Sequence, residues 1–381
     1  MNKWTYTTLG KISEIITGPF GSQLHQSDYV EQGIPVVMPQ DIDNRKVNYA
    51  SINYVSNEDA IRLERYKTII NDILYARRGD VEKHAFIKEK DNGVLCGTGC
   101  LRVRITTSEV EPEFISFFLN REETRKWLVT HAVGTNMPNL NTDILSDVPI
   151  AYPLLEEQRR IVQVLNSLDE KIALNSAVND NLAATIQTIF LSCKQSDTFK
   201  TYLPLNELVK TVNFRNKDNV YGIDDLMGVS LTKEFIKSPA NTISLDVSNY
   251  KIVKPFQFAC NLMHVGRDKK VAVGMLTDAD NVIISPAFTV FEIINNNVIL
   301  PEVLVSWFSQ SFFDNEVSYL ASEGIRDGIK WDTFAQIPIF IPEFEIQTKI
   351  QNIYKNIQQN KLEISTLNNF ADTFITTLSS R

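Results

Sequence analysis

The chain repeats itself, and that repetition constrains the fold more than any single motif does. Pro149-Ile150-Ala151-Tyr152-Pro153-Leu154-Leu155-Glu156-Glu157-Gln158 returns as Pro338-Ile339-Phe340-Ile341-Pro342-Glu343-Phe344-Glu345-Ile346-Gln347, displaced by 189 residues (338 minus 149). The same displacement carries Pro112-Glu113-Phe114 onto Pro301-Glu302-Val303, and Asp143-Ile144-Leu145 onto Asp332-Thr333-Phe334. Three anchors at one displacement, near half of the 381 residues, mean two copies of one unit.

Each copy has the same internal order. Short β-type runs come first, such as Gly33-Ile34-Pro35-Val36-Val37-Met38, Cys100-Leu101-Arg102-Val103-Arg104-Ile105 and, in the second copy, Ala287 to Ile293. Amphipathic stretches near Glu113 to Val129 and Glu302 to Tyr319 predict helices. A Pro-x-x-x-Pro segment then opens into a long run without Pro or Gly, from about Leu155 to Leu191 and from about Phe344 to Leu378. The expected division is two globular domains, 1–150 and 196–342, with spacer helices over 151–195 and 343–381.

The long runs carry unbroken heptad seams. In the first, Ile161, Leu165, Leu168, Ile172, Asn175, Asn179, Leu182, Ile186 and Ile189 alternate steps of four and three. In the second, Ile346, Ile350, Ile353, Ile357, Asn360, Ile364, Leu367, Ala371, Phe374 and Leu378 do the same. A helix of roughly 55 Å with one narrow apolar stripe needs a partner of the same kind. Antiparallel pairing of the two runs with each other is the economical solution. Aligning their midpoints places Asn175 opposite Asn360, a polar pair that fixes register; the plainer reading is that each Asn is solvated at a loose point of the seam.

The residues of common catalytic sites are absent. Gly10-Lys11-Ile12-Ser13 lacks the upstream Gly and the Lys-Ser/Thr adjacency of a phosphate loop. Cys96-Gly97-Thr98-Gly99-Cys100 has no second pair at zinc spacing and reads as a buried, reduced strand pair. His25, His84, His131 and His264 are scattered, and there is no Gly-x-Ser-x-Gly elbow, dinucleotide fingerprint or Asn/Asp-Pro-Pro-aromatic tetrad of amino-methyltransferases. Four cysteines are too few for a disulfide framework. No apolar run reaches the roughly 18 residues of a membrane span, and Met1 to Tyr6 has no secretory core, so a cytoplasmic protein is expected.

Charge argues against a bulk grip on nucleic acid: 38 Lys+Arg against 46 Asp+Glu gives −8. Any nucleic-acid face must be local, and three loops qualify. Arg77, Arg78, Lys83 and His84 surround Gly79, and the second copy answers with His264, Arg267, Lys269 and Lys270 around Gly266. Cations flanking a turn between strands suit phosphate clamping or bidentate guanine contacts; taken alone, such a turn is equally a solvated hairpin tip. Gly134-Thr135-Asn136-Met137-Pro138-Asn139-Leu140-Asn141 forms a second candidate with Arg326 and Lys330 of Gly324-Ile325-Arg326-Asp327-Gly328-Ile329-Lys330. Ser22 and Gln23 of Thr17-Gly18-Pro19-Phe20-Gly21-Ser22-Gln23 form the third, against Arg215 of Thr211-Val212-Asn213-Phe214-Arg215.

Two divergent units, each ending in a loop that opens on Gly (Gly134, Gly324), then Pro-x-x-x-Pro and a long helix, resemble the specificity subunits of Type I restriction–modification systems, the HsdS family. Gly134 to Leu140, Pro153-Leu154-Leu155-Glu156-Glu157-Gln158-Arg159-Arg160-Ile161-Val162 and Thr17 to Ser22 carry the likeness. The second copy departs from it where Glu157-Gln158 becomes Ile346-Gln347. The resemblance implies a mixed α/β fold with two target-recognition domains, joined by two long antiparallel helices in a coiled coil. It also implies a non-catalytic reader of bipartite double-stranded DNA, docking two methyltransferase subunits and in some systems two restriction subunits. S-adenosylmethionine, ATP and Mg would sit on those partners and none directly on this chain. The rival reading is a scaffold whose two domains bind polypeptides.

Overall fold

The computed structural model describes residues 4–134, 138–195, 201–238, 245–277, 280–322 and 328–379. The chain divides into two compact units: Met1–Leu174 with Glu363–Arg381, and Asn175–Leu362. Two helices run through both, Leu155–Gln195 of 41 residues and Phe344–Ser379 of 36.

In the first unit Ser13–Thr17, Cys100–Ile105, Ile73–Ala76 and His84–Phe86 lie in that order as an antiparallel sheet. The alternation of Cys100–Ile105 assigns its two faces. Leu101 and Val103 enter a core with Phe114, Ile115 and Phe118 of the helix Pro112–Leu119. Arg102 and Arg104 take the other face, where Arg102 binds the carbonyls of Arg65 and Lys67 and Arg104 forks onto Asp72. A second sheet runs Leu95–Cys96, Ile34–Val37, Asn53–Val55, Tyr29–Val30, with the first two strands parallel. Thr5–Thr8 pairs antiparallel with Pro149–Tyr152.

The second unit rebuilds this plan. Val209–Val212, Thr289–Ile293, Phe258–Asn261 and Ala272–Met275 repeat the antiparallel order, and Thr201–Pro204 pairs with Pro338–Ile341. Its second sheet runs Phe235–Lys237, Leu226–Val229, Val282–Ile284, Lys251–Val253, again with one parallel pair, Leu226–Val229 on Val282–Ile284. The amphipathic stretches are helical as expected, each built of two helices: Pro112–Leu119 and Glu122–His131, then Pro301–Phe308 and Ser311–Ser322. Both first helices start with Pro at a position whose N–H has no intrahelical acceptor. Arg121 ends the first of these runs, because its extended backbone caps the helix that follows.

The Glu-x-Gln and Ile-Gln words acquire a reason here. Gln158 is buried and donates to the carbonyls of Pro153 (2.8 Å) and Glu109 (3.0 Å) while accepting from the Glu111 N–H (2.8 Å). Gln347 does the same with Pro342, Val298 and Leu300, each at 2.9 Å. An amide both donates and accepts, which a Glu carboxylate in its place would not. Each Gln ties the start of a long helix to the loop that precedes a core helix.

The long helices pack antiparallel within each unit. In the first, Ile161 and Leu165 share a core with Ala371, Phe374 and Ile375; in the second, Leu182, Ile186 and Phe190 share one with Ile346, Ile350, Ile353 and Ile357. The polar register differs from expectation. Asn360 Nδ2 donates to Asn179 Oδ1 at 2.9 Å, one helical turn beyond Asn175. Alignment by midpoint missed it because the register is set by what the helices pack against, not by their centres.

Candidate nucleic-acid interface

Three loops that are distant in sequence meet at one end of the first unit's antiparallel sheet. Arg77 to Lys83 joins Ile73–Ala76 to His84–Phe86, and Gly79 at φ +77° supplies the left-handed residue of that turn. The Arg77 N–H donates to Gly99 O at 2.8 Å, and the Leu140 N–H donates to Arg77 O at 2.9 Å. The Gly79 N–H reaches Pro138 O at 3.3 Å. The Gly18 N–H donates to Cys100 O at 2.9 Å, and a Cβ at Gly18 would stand 2.1 Å from Gly97 O. Backbone hydrogen bonds thus gather Thr17–Gln23, Arg77–Lys83 and the Pro138–Leu140 segment around the Cys96–Cys100 turn.

That turn is structural. Cys96 and Cys100 are buried and unpaired by disulfide, and burial pushes the Cys96 thiol up to about 12. No group of three or more metal-ligating side chains occurs among the described residues.

The sequence-predicted residues of this unit divide into exposed and internal. Arg78 and Ser22 are exposed, and Lys83 is half-buried and ion-paired with Asp80 at 3.0 Å. Gln23 is exposed, but its Oε1 accepts from Tyr66 Oη at 2.8 Å. Arg77 is half-buried, its Nε reaching Leu140 O at 3.3 Å, so it braces the loop. Thr135, Asn136 and Met137 lie outside the described residues.

His84 departs from the surface role expected of it. It is 1% exposed, stacks on Tyr75 at 5.0 Å, and places Nε2 3.0 Å from Ser116 O and 3.1 Å from Ser116 Oγ. Desolvation, helped by the Arg45 charge, lowers its pKa to about 3, so it is a neutral core histidine. It opens the strand His84–Phe86, which is buried on both faces, and that decides this.

The second unit repeats the staple. The Ile329 N–H donates to Leu262 O at 3.0 Å, at the position that Leu140 occupies in the first unit. The loop itself is built differently. Val265–Asp268 forms one helical turn containing Gly266, and the left-handed residue is Lys269 at φ +53°. Gly266 is therefore not the turn glycine its match with Gly79 suggested. His264, Arg267, Lys269 and Lys270 are all exposed, with Arg267 forked onto Asp268 at 2.7 and 3.2 Å. Lys330 is exposed at the start of the helix Trp331–Phe334, and Arg326 lies outside the described residues. Arg215 is held at Asn249, donating to its carbonyl at 2.6 Å.

Two cations went unnoticed in the sequence. Arg45 and Lys233, 188 residues apart (233 minus 45), are both buried and both left-handed, at φ +60° and +69°. The only local hint is Asn44-Arg45 between Ile42–Asp43 and Lys46–Val47, a two-residue hairpin turn of the type that accepts positive φ.

Residues 1–184 match the family described as the Type I restriction modification DNA specificity domain. Over that stretch, just under half of the chain, the sequence is similar to the Type I specificity subunits. The Type I restriction enzyme HindI specificity subunit of Haemophilus influenzae is 24% identical over 195 residues, covering 50% of this chain and 41% of that protein. The MjaVIII specificity subunit of Methanocaldococcus jannaschii is 22% identical over 171 residues, covering 43% and 40%. The matches thus span about two fifths of these relatives' length. The fold is that of the Type I restriction–modification S subunit from M. genitalium, with a TM-score of 0.54, 14% identity, and coverage of 98% of this chain and 95% of that one. No helix among the described residues is long and apolar enough to cross a membrane.

Proposed function

We propose that the chain is the DNA-reading subunit of a Type I restriction–modification complex, with residues 1–150 and 196–342 each reading one half of a bipartite site. The observation that carries this reading is the recurrence, in both units, of an exposed cationic loop stapled to a second loop by the same backbone hydrogen bond, Leu140 to Arg77 and Ile329 to Leu262. In the first unit Arg78, Lys83, Ser22 and Gln23 face the half-site, with Arg77 bracing and Thr135, Asn136 and Met137 adjoining in sequence. In the second the readers are His264, Arg267, Lys269, Lys270 and Lys330, with Arg215 and Arg326 as flanking cations.

The spacer helices 151–195 and 343–381 set the gap between half-sites and dock methyltransferase subunits, which bring S-adenosylmethionine. Restriction subunits, where present, bring ATP and Mg. The chain itself carries out no chemistry, and it works in the cytoplasm. With a net charge of −8, its own hold on DNA is weak and steeply salt-dependent, and partners supply most phosphate contacts.

The test is retention of randomised-site DNA by the chain, alone and with its methyltransferase subunit, across a salt series. Expected is selective retention in the complex that fades as salt rises. Arg78→Ala should weaken binding about 5- to 100-fold if it reads a base, with loss confined to one half-site. Failure to retain DNA at every salt concentration, in both conditions, would support the polypeptide scaffold.

A further inference from the structure

Arg45 and Lys233 hold the same place in their units. Each sits at a hairpin tip, between Ile42–Asp43 and Lys46–Val47 or between Leu226–Val229 and Phe235–Lys237, in a backbone conformation that residues with a Cβ adopt at a cost. Each is more than nine-tenths buried, and each is paired with a carboxylate. Arg45 Nη1 lies 2.9 Å from Asp169 Oδ2 on the long helix, its Nε donates to Ser116 Oγ at 3.0 Å, and its guanidinium stands 3.4 Å over the Phe117 ring. Lys233 Nζ binds Asp314 Oδ1 on the helix Ser311–Ser322 and the carbonyl of Val271, and its neighbour Glu234 pairs with Lys361 on the other long helix.

What these contacts reach is the same in both units. Ser116 Oγ, which accepts from Arg45, also contacts His84 Nε2 at 3.1 Å, and His84 is the residue directly after Lys83. The Phe86 N–H donates to Arg45 O at 3.1 Å. Asp314 Oδ1, which holds Lys233, accepts from the Val271 N–H at 3.0 Å, and Val271 is the residue directly after Lys270. Each buried cation thus secures the residue at which a basic loop re-enters its sheet, by different side chains and through different partners. A strained turn plus a desolvated ion pair is costly for mere stability, since an apolar pair of the same volume would serve as well or better.

We propose that Arg45 and Lys233 are positioning residues of DNA readout, each holding the exit stem of its unit's basic loop in register with the helical layer behind it. The inference rests on the reading of these loops as DNA-facing. It adds that half-site discrimination depends on a buried residue that touches no DNA. The helical anchor differs, with Asp169 on a spacer helix in one unit and Asp314 on a domain helix in the other. Loop geometry in the first unit is accordingly coupled to the spacer helix directly.

The test uses the full chain in complex with its methyltransferase subunit. Arg45→Met and Ser116→Ala are compared with Lys233→Met and Asp314→Asn. The readouts are amide hydrogen exchange across residues 78–86 and 265–275, and binding to DNA altered in one half-site at a time. Ser116→Ala leaves the Arg45–Asp169 pair in place and guards against simple unfolding. Expected is faster exchange confined to the loop stem of the mutated unit, with discrimination at one half-site falling about 10-fold and the other unchanged. Unchanged exchange at the stem, or equal acceleration throughout the unit, overturns the positioning role. Altered exchange with no DNA retention by the unaltered complex would sustain the positioning of the loops and sink only their assignment to DNA.

Discussion

His84 shows how one side chain can be read for its chemistry and still be assigned to the wrong medium. In sequence it adjoins Lys83 and looks like a fourth cation of the loop, but the strand that begins there turns it inward between Tyr75 and Ser116. Its titration then becomes a stability matter. The folded chain keeps the ring neutral down to about pH 3, whereas the unfolded chain takes a proton near 6.5. Above 6.5 neither state is charged and nothing is lost. As pH falls below 6.5, the unfolded state gains a proton that the native state refuses, costing about 1.4 kcal/mol per pH unit. Urea denaturation of the chain between pH 7 and 5 should show that slope beyond the one left in His84→Gln. Identical slopes would mean that His84 is protonated in the fold. Arg45 and Lys233 were hidden for a related reason. A buried cation is identified by its partners, and Asp169 is 124 residues from Arg45, while Asp314 is 81 from Lys233.

At the level of elements, the repeat made most of the architecture legible. The strand runs Ile34–Val37, Cys100–Ile105 and Thr289–Ile293 and both long helices fall where alternation and heptads put them, because periodicity is a local property. The breaks within the two amphipathic stretches and the one-turn shift from Asn175 to Asn179 were not legible, since both depend on what the helices pack against. The repeated Gln lay between these cases: visible as a word, explained only by its three partners. Replacing Gln158 with Leu leaves the Pro153 and Glu109 carbonyls without a donor and the Glu111 N–H without an acceptor. That should cost about 2–3 kcal/mol, seen as a lower urea midpoint at unchanged slope. Gln347→Leu should cost the same, because its three bonds match one for one. A cost in one copy only would mean that the symmetry of the bonds is not a symmetry of their energies.

At the scale of the whole molecule, duplication gives so acidic a chain a matched basic loop in each unit, tied down by backbone hydrogen bonds and backed by a buried cation. If the long helices measure the gap between half-sites, their length is a quantity selected for function, and it can be changed without touching either loop. Removing one heptad from each helix, on the paired stretches within one unit, keeps the seam in phase and shortens the pair by about 10 Å. On a duplex that rises about 3.4 Å per base pair, the preferred spacer should contract by about three pairs. Both half-sequences should still be selected from a randomised library by the complex with its methyltransferase subunit. Because about three base pairs also turn the duplex by roughly a third of a revolution of 10–10.5 pairs, affinity should fall even at the new optimum. A variant that keeps the original spacer, or that selects different half-sequences, would show that the helices hold the units together without measuring anything.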